Sequence, residues 1–176
     1  YAVKSNTAVV IATTGHDRSL INKLMRAAES IPIFYSANMS IGINLLKDLL
    51  KRVVKTLESN FDIEIIEKHH SHKIDAPSGT AIALADALND AMNQKYSYIY
   101  ERHSKRKRRD KNEIGIHSVR GGTIVGEHSV IFAGQDEIIE FKHLALSKDI
   151  FGHGALRAAK YIAGKKPGIY DMQNLI

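Results

Sequence analysis

The pattern of apolar positions at the start of the chain predicts a strand, a helix and a second strand. Thr7–Ala12 is a short continuous apolar run rich in β-branched residues, which is typical of a buried parallel strand. After a turn, Asp17 can cap a helix over Arg18–Ala28. Ile31–Tyr35 has the composition of another short strand. This order of elements indicates one αβ unit of a doubly wound sheet.

The pattern changes in the middle of the chain. Apolar residues four positions apart predict an amphipathic helix over Ile41–Leu57, and Phe61–Ile66 alternates as a strand does. Ala81–Met92 predicts a second helix. Three further strands are predicted, the last two as a hairpin: Glu113–Val119, Val125–Ala133 and Glu137–His143. Together these elements predict an α+β lobe with a mostly antiparallel or mixed sheet.

A last helix is predicted over Ile150–Ala163. The chain therefore divides into a lobe of residues 41–146 and two flanking pieces of α/β character, residues 1–40 and 147–176. One αβ unit cannot cover both faces of a sheet, and Tyr1–Thr7 has the character of a domain interior. We therefore expect that an N-terminal portion of the protein precedes this sequence.

Composition excludes several classes of protein. The 176 residues include no cysteine, which rules out disulfides, thiolate catalysis and cysteine-ligated metals. The hydrophobic fraction of 44% is ordinary for a globular protein. No apolar run approaches the roughly 18 residues of a membrane span, and no secretory signal is visible. We expect a cytoplasmic protein that does not bind membranes.

The formal net charge is +6, and much of the excess lies in Arg102–Lys111. A basic run of this kind occurs in nucleic-acid-binding modules, but no aromatic residue interleaves with the charges for stacking on bases. We favour a solvated loop, or a loop that attracts small anions, and expect no nucleic-acid partner.

The densest chemistry lies in His69–Asp75, which contains three imidazoles, an ammonium and a carboxylate. Strand alternation would send His69 and His70 in opposite directions, and the turn could bring Lys73 to the same opening as His69. Imidazole exchanges protons near neutral pH, so these residues suit acid–base chemistry. Metal binding and a surface histidine cluster are the alternatives. A metal is the weaker one, because Lys73 would repel a cation.

A helix start follows the histidines at Pro77-Ser78-Gly79-Thr80. Pro77 suits the first turn of a helix, and the next three residues would then present backbone N–H groups at the positive end of the helix dipole. A carboxylate or phosphate would bind well there. The plainer interpretation is an ordinary helix start with Ser78 or Asp75 as its cap.

The stretch His69–Ala81 closely resembles the signature of the dihydrodipicolinate reductase family, also called 4-hydroxy-tetrahydrodipicolinate reductase. Further matches follow in the family's order over nearly the whole chain: Thr13–Gly15, Ser36–Ser40, Glu113–Gly122, Val125–His128 and Gly168–Met172. The histidine signature is specific, whereas the turns alone would not be.

The resemblance implies reduction of a cyclic dicarboxylate by NADH or NADPH in the diaminopimelate route to lysine. It implies that His69 is the general acid/base, that Lys73 is the proton donor, and that His70, Gly79 and Thr80 bind a substrate carboxylate. Seven residues would lie against the cofactor: Ala12, Thr13, Thr14, Ser36, Ala37, Asn38 and Met39.

The resemblance also assigns the domains. Residues 1–40 would be the C-terminal part of a Rossmann-like dinucleotide-binding domain, to which residues 147–176 return. Residues 41–146 would form the substrate-binding, catalytic and oligomerisation lobe, which builds a homotetramer through its sheet. The loop at Arg102–Lys111 would then lie near the site and attract a dianionic substrate.

The sequence departs from the family pattern in its first third. No Gly-rich turn for the cofactor pyrophosphate follows a first strand. Ala12 stands where the family usually has glycine, Ser36-Ala37 replaces Ala-Pro, and Met39 replaces Phe. We therefore expect weak cofactor binding and little turnover from this chain. A non-catalytic oligomeric fragment and a basic nucleic-acid-binding module are the alternative functions.

Overall fold

The computed structural model describes residues 1–176 and contains eight strands and four α-helices. The strands are β1 Val9–Ile11, β2 Pro32–Tyr35, β3 Asp62–His69, β4 Ser97–Ile99, β5 Glu113–Arg120, β6 Gly126–Ala133, β7 Ile138–Ala145 and β8 Gly168–Tyr170. The helices are α1 Arg18–Ala28, α2 Ile41–Leu57, α3 Gly79–Ala91 and α4 Asp149–Ile162, and a 3₁₀ turn at Met172–Leu175 ends the chain. None of the helices has the length and apolar composition that crossing a bilayer requires.

The chain divides into two units, Tyr1–Asn44 with Lys148–Ile176, and Leu45–Ser147. The first unit contains a parallel sheet in the order β1-β2-β8. Its helix α1 begins as predicted, because the Asp17 carboxylate accepts a hydrogen bond from the Leu20 N–H at 2.7 Å. Phe34, Met39 and Ile162 belong to one of its buried clusters.

The second unit contains a mixed five-stranded sheet in the order β4-β5-β3-β6-β7. The central strand β3 runs parallel to β5 and antiparallel to β6. Helices α2 and α3 cover one face, where Leu50 and Leu84 pack against Ile63, Ile65 and other apolar residues of the sheet. The predicted α+β fold with a mixed sheet is confirmed.

The structure corrects one boundary that matters for the site. Strand β3 does not end at Ile66 but continues through Glu67 and Lys68 to His69. Its alternation is unbroken, since Ile63, Ile65, Glu67 and His69 are all buried on the covered face. The last two members of that row are polar, so a search for alternating apolar residues stops before them.

Candidate active site

Glu67 and His69 lie two residues apart on β3, so both side chains point to the same face of the sheet. Both are buried, with 0% exposure for Glu67 and 9% for His69. Two polar residues at the end of an apolar row are costly to bury unless they are hydrogen-bonded. Their partners therefore define the site.

The Glu67 carboxylate binds the Arg120 guanidinium through both oxygens, at 2.7 Å and 2.9 Å. The Ser78 N–H donates to the same carboxylate at 3.1 Å, and His69 Nδ1 lies 2.5 Å from it. Burial opposes ionisation of this group, but the bonds from Arg120, Ser118 and His69 outweigh burial and lower the pKa of Glu67 to about 2. Glu67 is therefore a fully satisfied buried anion at neutral pH.

His69 is oriented by three surrounding residues. Its Nδ1 meets Glu67, and its ring lies edge-to-face with the His128 ring at a centroid distance of 5.1 Å. Its Nε2 lies beside Gly126, where an added Cβ would be only 3.1 Å away. A side chain at residue 126 would crowd the ring nitrogen that Glu67 leaves available.

His128 lies opposite Glu67 in the β3–β6 pairing and has only 4% exposure. Its Nε2 is 2.9 Å from Ser78 Oγ, and its Nδ1 has no hydrogen-bond partner. Burial, with a smaller contribution from His69, lowers the pKa of His128 to about 4. His128 is therefore a neutral imidazole at neutral pH, beside the ionised Glu67.

The start of α3 agrees with the plainer interpretation, an ordinary helix start capped by Ser78, but not with a first turn that contains Pro77. The cap is Ser78, whose Oγ accepts from the Ala81 N–H at 3.1 Å, and α3 begins at Gly79. Pro77 therefore lies outside the helix rather than in its first turn. The Ser78 N–H is bound to Glu67, so the protein's own carboxylate already uses one N–H donor at this helix start.

The loop between β3 and α3 carries the other predicted residues. Lys73 Nζ bonds to Asp75 at 2.7 Å, and this bond is the main reason that the pKa of Asp75 is lowered. His70 is half-buried and lies 6.4 Å, ring to ring, from the exposed His72. His69 and His70 thus have different ring neighbours, as the alternation predicted. Gly79 is exposed and nothing lies within 4 Å of its Cβ position, so α3 begins with open space.

Backbone bonds attach this loop to the end of β5. The Gly121 N–H donates to the His69 carbonyl at 2.9 Å, and the Ser71 N–H donates to the Gly122 carbonyl at 3.2 Å. The Gly122 φ of +49° is left-handed, which favours glycine there. These bonds join the ends of the parallel strands β3 and β5, which brings Arg120 to Glu67.

The predicted cofactor residues lie in the first unit, in the two turns that follow β1 and β2. Because these strands are parallel neighbours, both turns lie at one carboxyl edge, where open α/β sheets bind ligands. Ala12, Thr13, Thr14 and Ala37 are exposed, and Ser36 and Asn38 are half-buried. Met39 is only 2% exposed and packs in the core. Six of the seven predicted residues therefore have accessible surface at this edge, whereas Met39 is a core residue.

The basic segment Arg102–Lys111 is not simply a solvated loop. Arg102 bonds Glu64 and Glu113, and Arg109 bonds Asp62 and Glu64. These carboxylates lie towards the start of β3 and β5, and Glu64 is five residues, or roughly 16 Å, from His69 along the strand. Within this chain the segment is attached to the other end of β3, not next to His69.

Sequence reasoning missed Glu67, Arg120 and His128 as members of the site. The spacing Glu-x-His at residues 67–69 could have indicated Glu67, once the strand was extended to His69. Arg120 and His128 come from other strands, and nothing local connects them to His69. No three His, Cys, Asp or Glu residues of the chain are arranged to hold a metal ion.

Comparison with known proteins decides the family. A family model described as "Dihydrodipicolinate reductase, C-terminus" matches residues 42–176, and one described as "Dihydrodipicolinate reductase, N-terminus" matches residues 1–39. The chain belongs to the dihydrodipicolinate reductase family. The resemblance found in the histidine signature is confirmed.

Individual reductases agree with this assignment. The 4-hydroxy-tetrahydrodipicolinate reductase of Caldanaerobacter subterraneus subsp. tengcongensis is 55% identical over 175 residues, which cover 99% of this chain and 69% of that protein. The enzyme of the same name from Clostridium novyi is 50% identical over 176 residues, covering 100% and 69%. Reductases of this family are NAD(P)H-dependent oxidoreductases of diaminopimelate and lysine biosynthesis, so the predicted enzyme class is confirmed.

A solved structure supports the fold. The dihydrodipicolinate reductase from Paenisporosarcina sp. TG-14, determined with dipicolinate bound, superimposes with a TM-score of 0.79 at 23% identity. The match covers 99% of this chain and 67% of that one. It establishes that the two reductases share their architecture.

Proposed function

We propose that this chain carries the substrate-binding and proton-transfer site of a 4-hydroxy-tetrahydrodipicolinate reductase, with His69 as general acid/base and Lys73 as proton donor. The observation that carries the proposal is the short connection from β3 to α3. It places a buried, oriented imidazole, an ammonium and an open helix start within eleven residues, 69–79. The family assignment supplies the reaction.

The substrate class follows from the charges of the site. A cyclic dicarboxylate has two anionic groups, and the start of α3 offers the positive end of a helix dipole beside the Lys73 ammonium. We assign His70, Gly79 and Thr80 to one substrate carboxylate. The related reductase with dipicolinate bound supports this class of ligand.

The chemistry needs a hydride and a proton on the same conjugated ring. NADH or NADPH supplies the hydride when bound, and the turns at residues 12–14 and 36–39 are the ones that would hold it. The Lys73 ammonium supplies the one proton that the ring takes up with the hydride and becomes a neutral amine, and before this step it balances the charge of the dianionic substrate. His69 serves as the general acid/base through Nε2, because Nδ1 is committed to Glu67.

Ligand binding tests the proposal without requiring turnover. Titration calorimetry of this chain with pyridine-2,6-dicarboxylate should show saturable binding, and Thr80→Val or His70→Ala should weaken it about tenfold through loss of a bond to a charged group. The dimethyl ester of the same acid is the matched control ligand, since it has the ring without the charges. Folded protein that takes up no dicarboxylate would contradict the proposal.

We propose further that the second unit forms a homotetramer through its sheet. Strand β7 has β6 on one side and no strand on the other, and its Ile138 and Leu144 are exposed. An open edge with apolar side chains is a surface that proteins normally cover. Sedimentation analysis at several concentrations tests this assembly, and a monomer at all of them would exclude it. The proposed location is the cytoplasm.

A further inference from the structure

We propose that Glu67 is a positioning residue for His69: together with Arg120 it keeps the hydrogen of the imidazole on Nδ1 and directs Nε2 to the substrate. The catalytic meaning of this assignment rests on the proposed reductase function. The tautomer itself does not, and it can be measured separately.

Glu67 acts only through other residues, because it has no exposed surface. Its oxygens are occupied by Arg120, Ser78 and His69, all at 2.5–3.1 Å. A substrate cannot reach such a carboxylate. Its effect on the reaction must therefore pass through the imidazole that it contacts.

The donor in the Glu67–His69 bond follows from the charge of Glu67. A carboxylate that binds a guanidinium through both oxygens is ionised, and an ionised carboxylate can only accept hydrogen bonds. Nδ1 of His69 must then donate, which leaves the lone pair of the neutral ring on Nε2. The lowered pKa of Glu67 agrees with this geometry.

The surroundings of Nε2 agree with a role in proton transfer. Because residue 126 is glycine, no side chain crowds this nitrogen. A Cβ at residue 126 would come within 3.1 Å of it. The edge-to-face contact with the neutral His128 limits rotation of the ring. A positioned tautomer of this kind is what a general acid/base requires.

Glu67 also connects the proton-transfer residue to the helix start. The Ser78 N–H that it accepts belongs to the residue that caps α3, directly before Gly79 and Thr80. One carboxylate thus sets the distance between the imidazole and the proposed carboxylate subsite. A plain buried ion pair would stabilise the sheet without this link to both halves of the site.

The test is the tautomer of His69, read from long-range ¹H–¹⁵N correlation spectra of the ¹⁵N-histidine-labelled chain. The unsubstituted chain should show Nδ1–H, and Glu67→Gln should move the Nδ1 resonance of His69 towards the unprotonated range as Nε2–H becomes populated. Glu64→Gln is the matched control: it removes the other His-bonded carboxylate of β3 and should leave His69 unchanged. His69→Gln identifies the resonance.

Two results would overturn the proposal: an Nε2–H tautomer in the unsubstituted chain, or an unchanged Nδ1–H tautomer in folded Glu67→Gln. The first requires no variant, so poor folding of Glu67→Gln cannot leave the question open. Glu67→Asp is the second variant, because a carboxylate one methylene shorter should lose the bond to Nδ1. Calorimetry with pyridine-2,6-dicarboxylate separates the two proposals. A correct tautomer without ligand binding contradicts the reductase function, and binding with the wrong tautomer contradicts the role of Glu67.

Discussion

Strand β3 carries two glutamates, Glu64 and Glu67, on opposite faces, and each binds arginine and histidine. Glu67 is fully buried and orients His69 through Nδ1. Glu64 is partly exposed and meets Nε2 of His117. Glu64 also bonds Arg102 and Arg109 of the basic segment, so it attaches a loop to the sheet. The same residue types therefore attach the basic segment to the sheet on one face and orient His69 in the candidate active site on the other.

The difference between the two clusters lies in burial and in which ring nitrogen is engaged. At both glutamates burial tends to raise the pKa, but hydrogen bonds from arginine and histidine outweigh burial, so the pKa of each is lowered. Only the cluster at Glu67 leaves an oriented imidazole beside an open helix start. Residue type and pairing alone would not distinguish a functional carboxylate from a structural one.

The largest expected effect is the loss of Arg120. Arg120→Ala leaves Glu67 buried without its counter-charge, which should lower the free energy of unfolding by about 3–5 kcal/mol in urea denaturation. Arg102→Ala is the matched change at the other cluster. The Arg102 side chain is 36% exposed, against 20% for Arg120, and without it Glu64 keeps Arg109 and the buried Glu113 keeps Lys107. Its loss should therefore cost less than the loss of Arg120. Equal losses would show that the two clusters do not differ in burial energy.

The next effect concerns catalysis. In a reductase that joins this chain to a complete dinucleotide-binding domain, His69→Ala should lower turnover ~100-fold, because the general acid/base is lost. His117→Ala, at the Glu64 cluster, should leave turnover within about twofold of the unsubstituted enzyme. The measurement is the oxidation of NADH or NADPH. If both variants lose activity equally, His69 does not have the proposed role.

A smaller effect should appear as a pH dependence of stability. His128 is neutral in the folded state with a pKa of about 4, whereas the unfolded chain protonates it near the ordinary value of 6.5. Stability is therefore fully present above pH 6.5 and is lost as pH falls towards 4. Between about pH 7 and about pH 5 this group should remove about 2 kcal/mol of unfolding free energy.

His128→Gln should abolish most of that loss, because an amide can still bond Ser78 Oγ but does not titrate. The carboxylates whose pKa values are lowered to about 2, Glu67 and Glu113, stay ionised throughout this range. His72→Gln, which replaces an exposed histidine, is the control and should leave the pH dependence of stability unchanged. Urea unfolding at the two pH values gives the comparison. If the unfolding free energy of His128→Gln still falls with pH as in the unsubstituted chain, another group causes the pH dependence.

The smallest effects concern one glycine beside each cluster. Gly126→Ala should crowd His69 Nε2 and lower stability by about 1 kcal/mol, with a weaker titration by pyridine-2,6-dicarboxylate. At Gly115 an added Cβ would lie 1.7 Å from the Glu64 oxygen that bonds His117, so this carboxylate would have to move. Gly115→Ala should reduce stability but leave ligand affinity unchanged. A loss of affinity from Gly115→Ala would mean that the clusters are coupled through β3.

The local pattern predicted the helices well. The bounds of α1 and α2 are as predicted, because a cap at Asp17 and a strict apolar spacing are properties of neighbouring residues. The strands β4 and β8 were missed. Each has three residues, too few for an alternation, and each exists because it pairs with β5 or β2.

The sequence by itself determined the family, the mixed α+β fold and the segment in which the histidines and the helix start adjoin. These depend on the order of residues and on local spacing. Only the tertiary structure decided that Glu67 completes the site, that Arg120 meets Glu67 and His128 meets His69 from other strands, and that the basic segment is attached to the far end of β3. The physical reason is that burial and pairing between strands determine which polar residues share a site, and neither is a property of neighbouring residues.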